Sequence, residues 1–138
     1  MPKVSMQTEL DVPAQQVWDL IGGFNALPDW HPAIEHSELE NGGKVRKLSL
    51  AGGGTIVEKL EQIDDNERVY TYSIIDSPLP VSDYTATIRV RQDVDGNSTV
   101  VEWSSSFEAS GAPENEAVKV IEDIYQAGFE NLKRIFGM

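Results

Sequence analysis

The stretch PENEAVKVIEDIYQAGFENLKRIF, from Pro113 to Phe136, decides the fold. Ile121, Ile124, Tyr125, Gly128, Leu132 and Ile135 recur at helical spacing, and Glu122, Asp123, Glu130, Lys133 and Arg134 fill the opposite face, the pattern of one long amphipathic helix. At about 1.5 Å per residue such a helix is roughly 35 Å long, so its apolar stripe needs a partner of similar extent. Everything before it is strand-rich, and a sheet is that partner. Gly128 interrupts the stripe at a cost of about 1 kcal/mol relative to Ala. A packing contact with a bulky sheet residue explains it more simply than an open space kept beneath the helix.

Upstream of the helix two segments alternate cleanly. Val101, Trp103 and Phe107 oppose Glu102, Ser104 and Ser106, and Tyr84, Ala86, Ile88 and Val90 oppose Thr85, Thr87, Arg89 and Arg91, the period of strands with one buried face. Tyr70, Tyr72 and Ile74 share a face on the strand before them. Breaks at Asn41-Gly42-Gly43, Gly52-Gly53-Gly54, Asp64-Asp65-Asn66-Glu67 and Asp95-Gly96-Asn97 predict strands near residues 34–40, 44–51, 54–63, 68–76, 83–94 and 98–108, an antiparallel meander. Val4 to Val12 alternates as well, with Val4, Met6, Thr8 and Leu10 on one face, and supplies a seventh strand. Pro13 then suits the first turn of a helix in which Val17, Leu20, Ile21 and Phe24 fall at i, i+3, i+4 and i+7. The segment Ala26-Leu27-Pro28-Asp29-Trp30-His31-Pro32 is broken by prolines and holds only a turn of helix.

The order is strand, two short helices, six strands and a long helix. It predicts an α+β fold in which a curved, seven-stranded antiparallel sheet wraps around the C-terminal helix, with two short helices after the first strand. Bending a sheet around a helix opens a space between them. The triple Gly at 52–54 and the long loop expected from Asp76 to Asp83 flank that space and are placed to gate it.

Composition narrows the function classes. The 138 residues, 40% hydrophobic and 25% charged, predict one domain, residues 1–138, with one core. The formal charge of -12 repels phosphate backbones and anionic surfaces, so nucleic acid is not an expected partner. With no Cys, thiolate nucleophiles and Cys-based metal sites are excluded. Met1 to Gln7 lacks the apolar region of a secretory signal, and no apolar run approaches the roughly 20 residues that cross a bilayer. The expectation is a cytoplasmic protein without membrane insertion, a monomer or weak homodimer.

Five segments together resemble the polyketide cyclase/dehydrase branch of the START-like superfamily, the helix-grip or SRPBCC proteins. They are Pro13-x-x-x-Val17-Trp18-x-Leu20-Ile21, Leu27-Pro28-x-Trp30-His31-Pro32-x-Ile34, Glu58-x-Leu60, Pro78-Leu79-Pro80-Val81-x-x-Tyr84 and Val101-Glu102-Trp103-x-x-x-Phe107, spread over essentially the whole chain. The resemblance implies a deep apolar cavity between sheet and helix that holds lipids, polyketides or similar hydrophobic molecules. It does not imply one reaction.

Glu58 shares strand parity with Ile56 and Leu60, so its carboxylate points inward, where desolvation suits it to acid or base work. Arg46, in parity with Leu48 and Leu50 on the preceding strand, is expected to neutralise it, since an unpaired buried charge costs several kcal/mol. His31 is the other proton-transfer candidate, though a lone His without an orienting carboxylate is more often a satisfied structural group. No metal is expected, because His31 and His36 lack the spacing of a helical ligand pair, and no cofactor is expected.

The expected ligand-binding residues are Trp30, Leu48, Glu58, Tyr72, Ile74, Tyr84, Trp103, Phe107, Ile124, Tyr125 and Gly128. The functional expectation is a binder of a hydrophobic small molecule. Its alternative is a cyclase or dehydratase that uses the same cavity with Glu58, His31 or a Tyr moving protons.

Overall fold

The structure is a computed structural model that describes residues 2–93 and 98–137. The chain runs β1 (Lys3–Leu10), α1 (Ala14–Ile21), α2 (Leu27–Trp30), β2 (Ile34–Glu40), β3 (Val45–Leu50), β4 (Thr55–Asp64), β5 (Val69–Asp76), β6 (Val81–Gln92), β7 (Thr99–Ala109) and α3 (Glu114–Ile135). All seven strands lie in one antiparallel sheet of order β1-β7-β6-β5-β4-β3-β2. The first and second strands are thus the two edges, and α1 with α2 carries the chain between them. Bulges in β4, between Val57 and Glu58 and between Leu60 and Gln62, and in β6, between Ser82 and Thr85, bend the sheet.

The inward faces are those the alternation predicts. Val4, Thr8 and Leu10 are buried on β1, Tyr70 and Tyr72 on β5, Tyr84, Ala86, Ile88 and Val90 on β6, and Val101, Trp103 and Phe107 on β7. Helix α3 covers them with Ala117, Ile121, Tyr125, Gly128, Phe129 and Leu132. Glu114 and Glu116 in its first turn and Lys133 and Arg134 in its last complement its dipole. Phe129, absent from the predicted stripe, packs with its ring centre 6.2 Å from that of Trp103. Ile135, placed in the stripe, is instead 44% exposed on its flank in the last turn.

One loop expectation is corrected. The Asp76–Asp83 loop is shorter, spanning 77–80, because Val81 and Ser82 pair with Ala109 and Glu108 of β7 before the bulge. The Asn41-Gly42-Gly43 break is a single 3-10 turn. Gly52, Gly53 and Gly54 join β3 to β4 with φ of +88°, +103° and +105°, a backbone closed to other L residues. The Asp95-Gly96-Asn97 turn and the end of its strand at Val94 lie outside the described residues.

Candidate ligand-binding site

The site is built on one cross-strand pair. Register sets Arg46 of β3 directly opposite Glu58 of β4, both on the inward face. Arg46 Nε donates to Glu58 Oε1 at 2.8 Å, and Nη2 lies 2.7 Å from the same oxygen as an ion contact without hydrogen-bond alignment. Nη1 donates to the Phe24 carbonyl at 2.7 Å. Aromatic faces enclose the guanidinium, with the ring centres of Phe24, Tyr72 and Tyr70 at 4.2, 5.1 and 5.8 Å. Both Arg46 contacts fall on Oε1, and Oε2 has no partner among the described residues. Burial pushes the Glu58 carboxyl up, and the guanidinium beside it pulls it back without cancelling that push. Burial works against the Arg46 charge as well, but Glu58 and the tyrosines outweigh it, so the guanidinium stays protonated.

A hydrogen-bonded aromatic chain stands beside this pair. Trp103 Nε1 donates to the Tyr72 hydroxyl at 3.0 Å, Tyr72 and Tyr84 share a bond of 3.3 Å, and Tyr84 bonds the Tyr125 hydroxyl. Burial raises all three phenols above their ordinary range. They act as neutral hydroxyls.

His31 closes the opposite wall. Its Nε2 lies 2.8 Å from the Ile124 carbonyl, and its Nδ1 accepts from the Ala33 N–H at 3.2 Å. An Nδ1 that accepts leaves the proton on Nε2, which fixes the tautomer and occupies both nitrogens. Burial lowers the pKa of His31, against the opposing pull of the Ile124 bond. Both ring nitrogens of His31 are thus hydrogen-bonded. His36 is exposed on β2, and among the described residues no three His, Cys, Asp or Glu gather as metal ligands.

Between these walls lies an inner cavity of about 40 Å³, lined by Leu27, His31, Ile34, Leu48, Ile56, Glu58, Tyr72, Ile74, Leu79, Tyr84, Trp103, Ile121 and Ile124. This inner space is therefore far smaller than the deep cavity expected. Most of the room lies outside it, in an open apolar recess of about 400 Å³ between the end of β3, the 77–80 loop and α3. Ala33, Leu50, Ala51, Val120, Asp123 and Ala127 line the recess alone, while His31, Ile34, Ile56, Leu79 and Ile124 line both spaces and form the waist between them.

Of the expected ligand-binding residues, Leu48, Glu58, Tyr72, Ile74, Tyr84, Trp103 and Ile124 are on the cavity wall. Trp30, Phe107, Tyr125 and Gly128 are not, because packing uses them up. Tyr125 stacks on Trp103 at 4.1 Å, Phe107 stacks on Tyr84 at 6.0 Å, and Trp30 sits 5.5 Å from Trp103. Gly128 lies over this cluster, where a Cβ would meet His31 and Trp30 at 3.0 Å and Trp103 at 3.2 Å, so its role is close packing. The sequence reading missed Leu27, Ile34, Ile56, Leu79 and Ile121 as wall residues. Ile56 and Ile121 carried a signal, in strand parity and in the helical stripe, whereas Leu79 gave none beyond its place between two prolines.

The model of the family described as polyketide cyclase/dehydrase and lipid transport matches residues 1–137. The chain belongs to this family. A protein of Bacillus thuringiensis with a solved structure is 42% identical, with 99% of this chain and 100% of that one covered and a TM-score of 0.96. XoxI of Bacillus cereus is 43% identical over 99% and 96%, also with a TM-score of 0.96. An aromatase/cyclase from Streptomyces sp. R1128 shares the fold at 19% identity, with a TM-score of 0.78 over 99% and 93%. Among curated proteins none matches. A START superfamily protein from Mycobacterium smegmatis shares the fold at 14% identity, with a TM-score of 0.80 over 98% and 97%, and among the described residues no helix is long and apolar enough to cross a membrane.

Proposed function

We propose that this chain binds a hydrophobic small molecule whose body lies in the recess and whose tip passes the waist into the inner cavity. One observation carries the reading: an apolar recess of about 400 Å³ opens, through shared walls, onto a floor where Glu58 is held buried. That volume falls within the roughly 300–1,000 Å³ of small-molecule sites, and apolar walls with a few fixed polar groups are their usual make-up. The family description, which names both cyclisation and lipid transport, supports the same class of ligand.

The test is saturable binding of a fluorescent apolar probe such as N-phenyl-1-naphthylamine to the chain and to Ala127→Phe, which fills the recess from α3. Binding that is lost in the variant at an unchanged Tm is the expected result. A folded wild-type chain that binds no probe would overturn the reading.

A second reading is a cyclase or dehydratase in which Glu58 moves the proton. It rests on the buried carboxyl with one uncommitted oxygen on the cavity wall. Turnover of a polyketide-like substrate that survives Glu58→Gln would remove it.

A further inference from the structure

The walls also specify what the tip of the ligand carries, an inference that rests on the binding reading above. The charged side chains lining the cavity and recess are Glu58 and Asp123, both acidic. Asp123, at the outer rim, is paired with Lys119 at 2.9 Å. Among the described residues the cation beside Glu58 is Arg46, fully buried and held by Glu58 Oε1, the Phe24 carbonyl and three aromatic faces. Its Nη2 makes no hydrogen bond, but it lies 2.7 Å from Glu58 Oε1 on a side chain that lines neither space, so an incoming anion meets the carboxylate and not the guanidinium. The Tyr72 and Tyr84 hydroxyls already bond one another, and Trp103 spends its N–H on Tyr72. Among the described residues on the cavity wall, the polar side-chain atom without a hydrogen-bond partner is an acceptor, Glu58 Oε2, on a side chain that is only 7% exposed.

We infer that the ligand is uncharged and ends in a hydroxyl, which enters the inner cavity and donates a hydrogen bond to Glu58 Oε2. Size agrees with chemistry. A space of about 40 Å³ exceeds the roughly 10–15 Å³ that a cavity needs to hold one water molecule, so it admits a hydroxyl on its carbon, and it is far below the roughly 300 Å³ of a whole small-molecule site. A carboxylate tip would instead bring a second negative charge beside Glu58 in a desolvated site, which is strongly unfavourable.

Decane, decanol and decanoate share one chain and differ only at the tip, so displacement of the bound naphthylamine probe by each, at about pH 8, reads the inference directly. Decanol should bind about a hundredfold more tightly than decanoate and about tenfold more tightly than decane. Decanoate equal to decanol, or decane equal to decanol, would overturn the hydroxyl assignment while leaving the binding reading intact. If none of the three displaces a probe that binds saturably, the hydroxyl assignment falls, whereas the binding reading falls only if the folded chain binds no probe. Glu58→Gln frees the Arg46 charge and should raise decanoate above decanol. Should that variant not fold, Arg46→Met/Glu58→Met removes both charges together and should bring decane and decanol within about twofold of each other; a preference for decanol that survives the double change would also refute the assignment.

Discussion

The Arg46–Glu58 pair should couple strongly, and the coupling can be worked out from its surroundings. Arg46 has no exposed side-chain surface and Glu58 only 7%, so neither charge is relieved by solvent when its partner goes. Glu58→Gln leaves a buried guanidinium with the Phe24 carbonyl and aromatic faces alone, and rupture of such a pair costs about 3–5 kcal/mol. Arg46→Met leaves a buried carboxylate and also orphans the Phe24 carbonyl, a further loss of about 1–3 kcal/mol. That deficit has a pH signature. Without the guanidinium, burial alone acts on the Glu58 carboxyl and drives it to take up a proton, so the folded state binds more protons than the unfolded chain and the deficit shrinks as pH falls. The double change Arg46→Met/Glu58→Met removes both desolvated charges and keeps only the orphaned carbonyl, so it should lie within about 2 kcal/mol of wild type. Urea unfolding of the four proteins at about pH 7.5, and of Arg46→Met down to about pH 5, measures every quantity. Single-variant losses that simply sum to that of the double variant would refute the reasoning, as would a Glu58→Gln loss below about 1 kcal/mol.

Three further outcomes are expected. Because burial holds the His31 pKa below its ordinary 6.5, its stabilising contribution is complete above that pH and is lost as pH falls below it; urea midpoints between about pH 7 and 5 should decline less steeply in His31→Gln, by up to about 1.4 kcal/mol per pH unit. Gly128→Ala gains about 1 kcal/mol of helix propensity but drives a methyl into three packed rings, an overpacking cost of about 1–3 kcal/mol, so thermal unfolding should show a net loss and a rise in Tm would contradict the packing role. Tyr84→Phe removes the hydroxyl that links Tyr72 to Tyr125 and should cost about 1–2 kcal/mol in chemical denaturation, with the near-ultraviolet dichroism of the remaining aromatics retained.

Parity made the fold and the polar floor of the site legible. Arg46 aligns with Leu48 and Leu50, Glu58 aligns with Ile56 and Leu60, and adjacent antiparallel strands then bring the two charges opposite each other. Depth was not legible. Alternation says which face Trp103, Phe107 and Tyr125 occupy but not whether they border a space or fill it, because that depends on partners from distant elements. Trp30 fits where it does because Gly128 removes a side chain above it and because Asn131 of α3 donates to its carbonyl at 2.9 Å. Likewise, the partner of His31 Nε2 is the Ile124 carbonyl, contributed by α3. The size of the cavity was hidden for the same reason, since Trp30, Trp103 and Tyr125, in ring contact with one another through Trp103, occupy the volume that a bent sheet alone would leave open.

What remains open follows from side-chain length. Beneath the centre of α3, Tyr125, Trp103 and Trp30 meet ring to ring. On the flank of that helix the facing residues are Val120, Ile124 and Ala127, and those across from them are Ala33, Ile34, Leu50, Ala51 and Ile56. Short aliphatic side chains on both sides cannot bridge the separation that the aromatic cluster imposes on the two layers, so a recess persists where the aromatics stop. The adjoining floor cannot collapse into it, because Glu58 is tied to Arg46, and Arg46 to the Phe24 carbonyl just beyond α1. A recess kept open by rigid neighbours requires little ordering when a ligand arrives, so apolar contact on its walls contributes to affinity with little entropic loss. On the proposed reading, the inner cavity, too small to hold the body of a ligand, takes only its end.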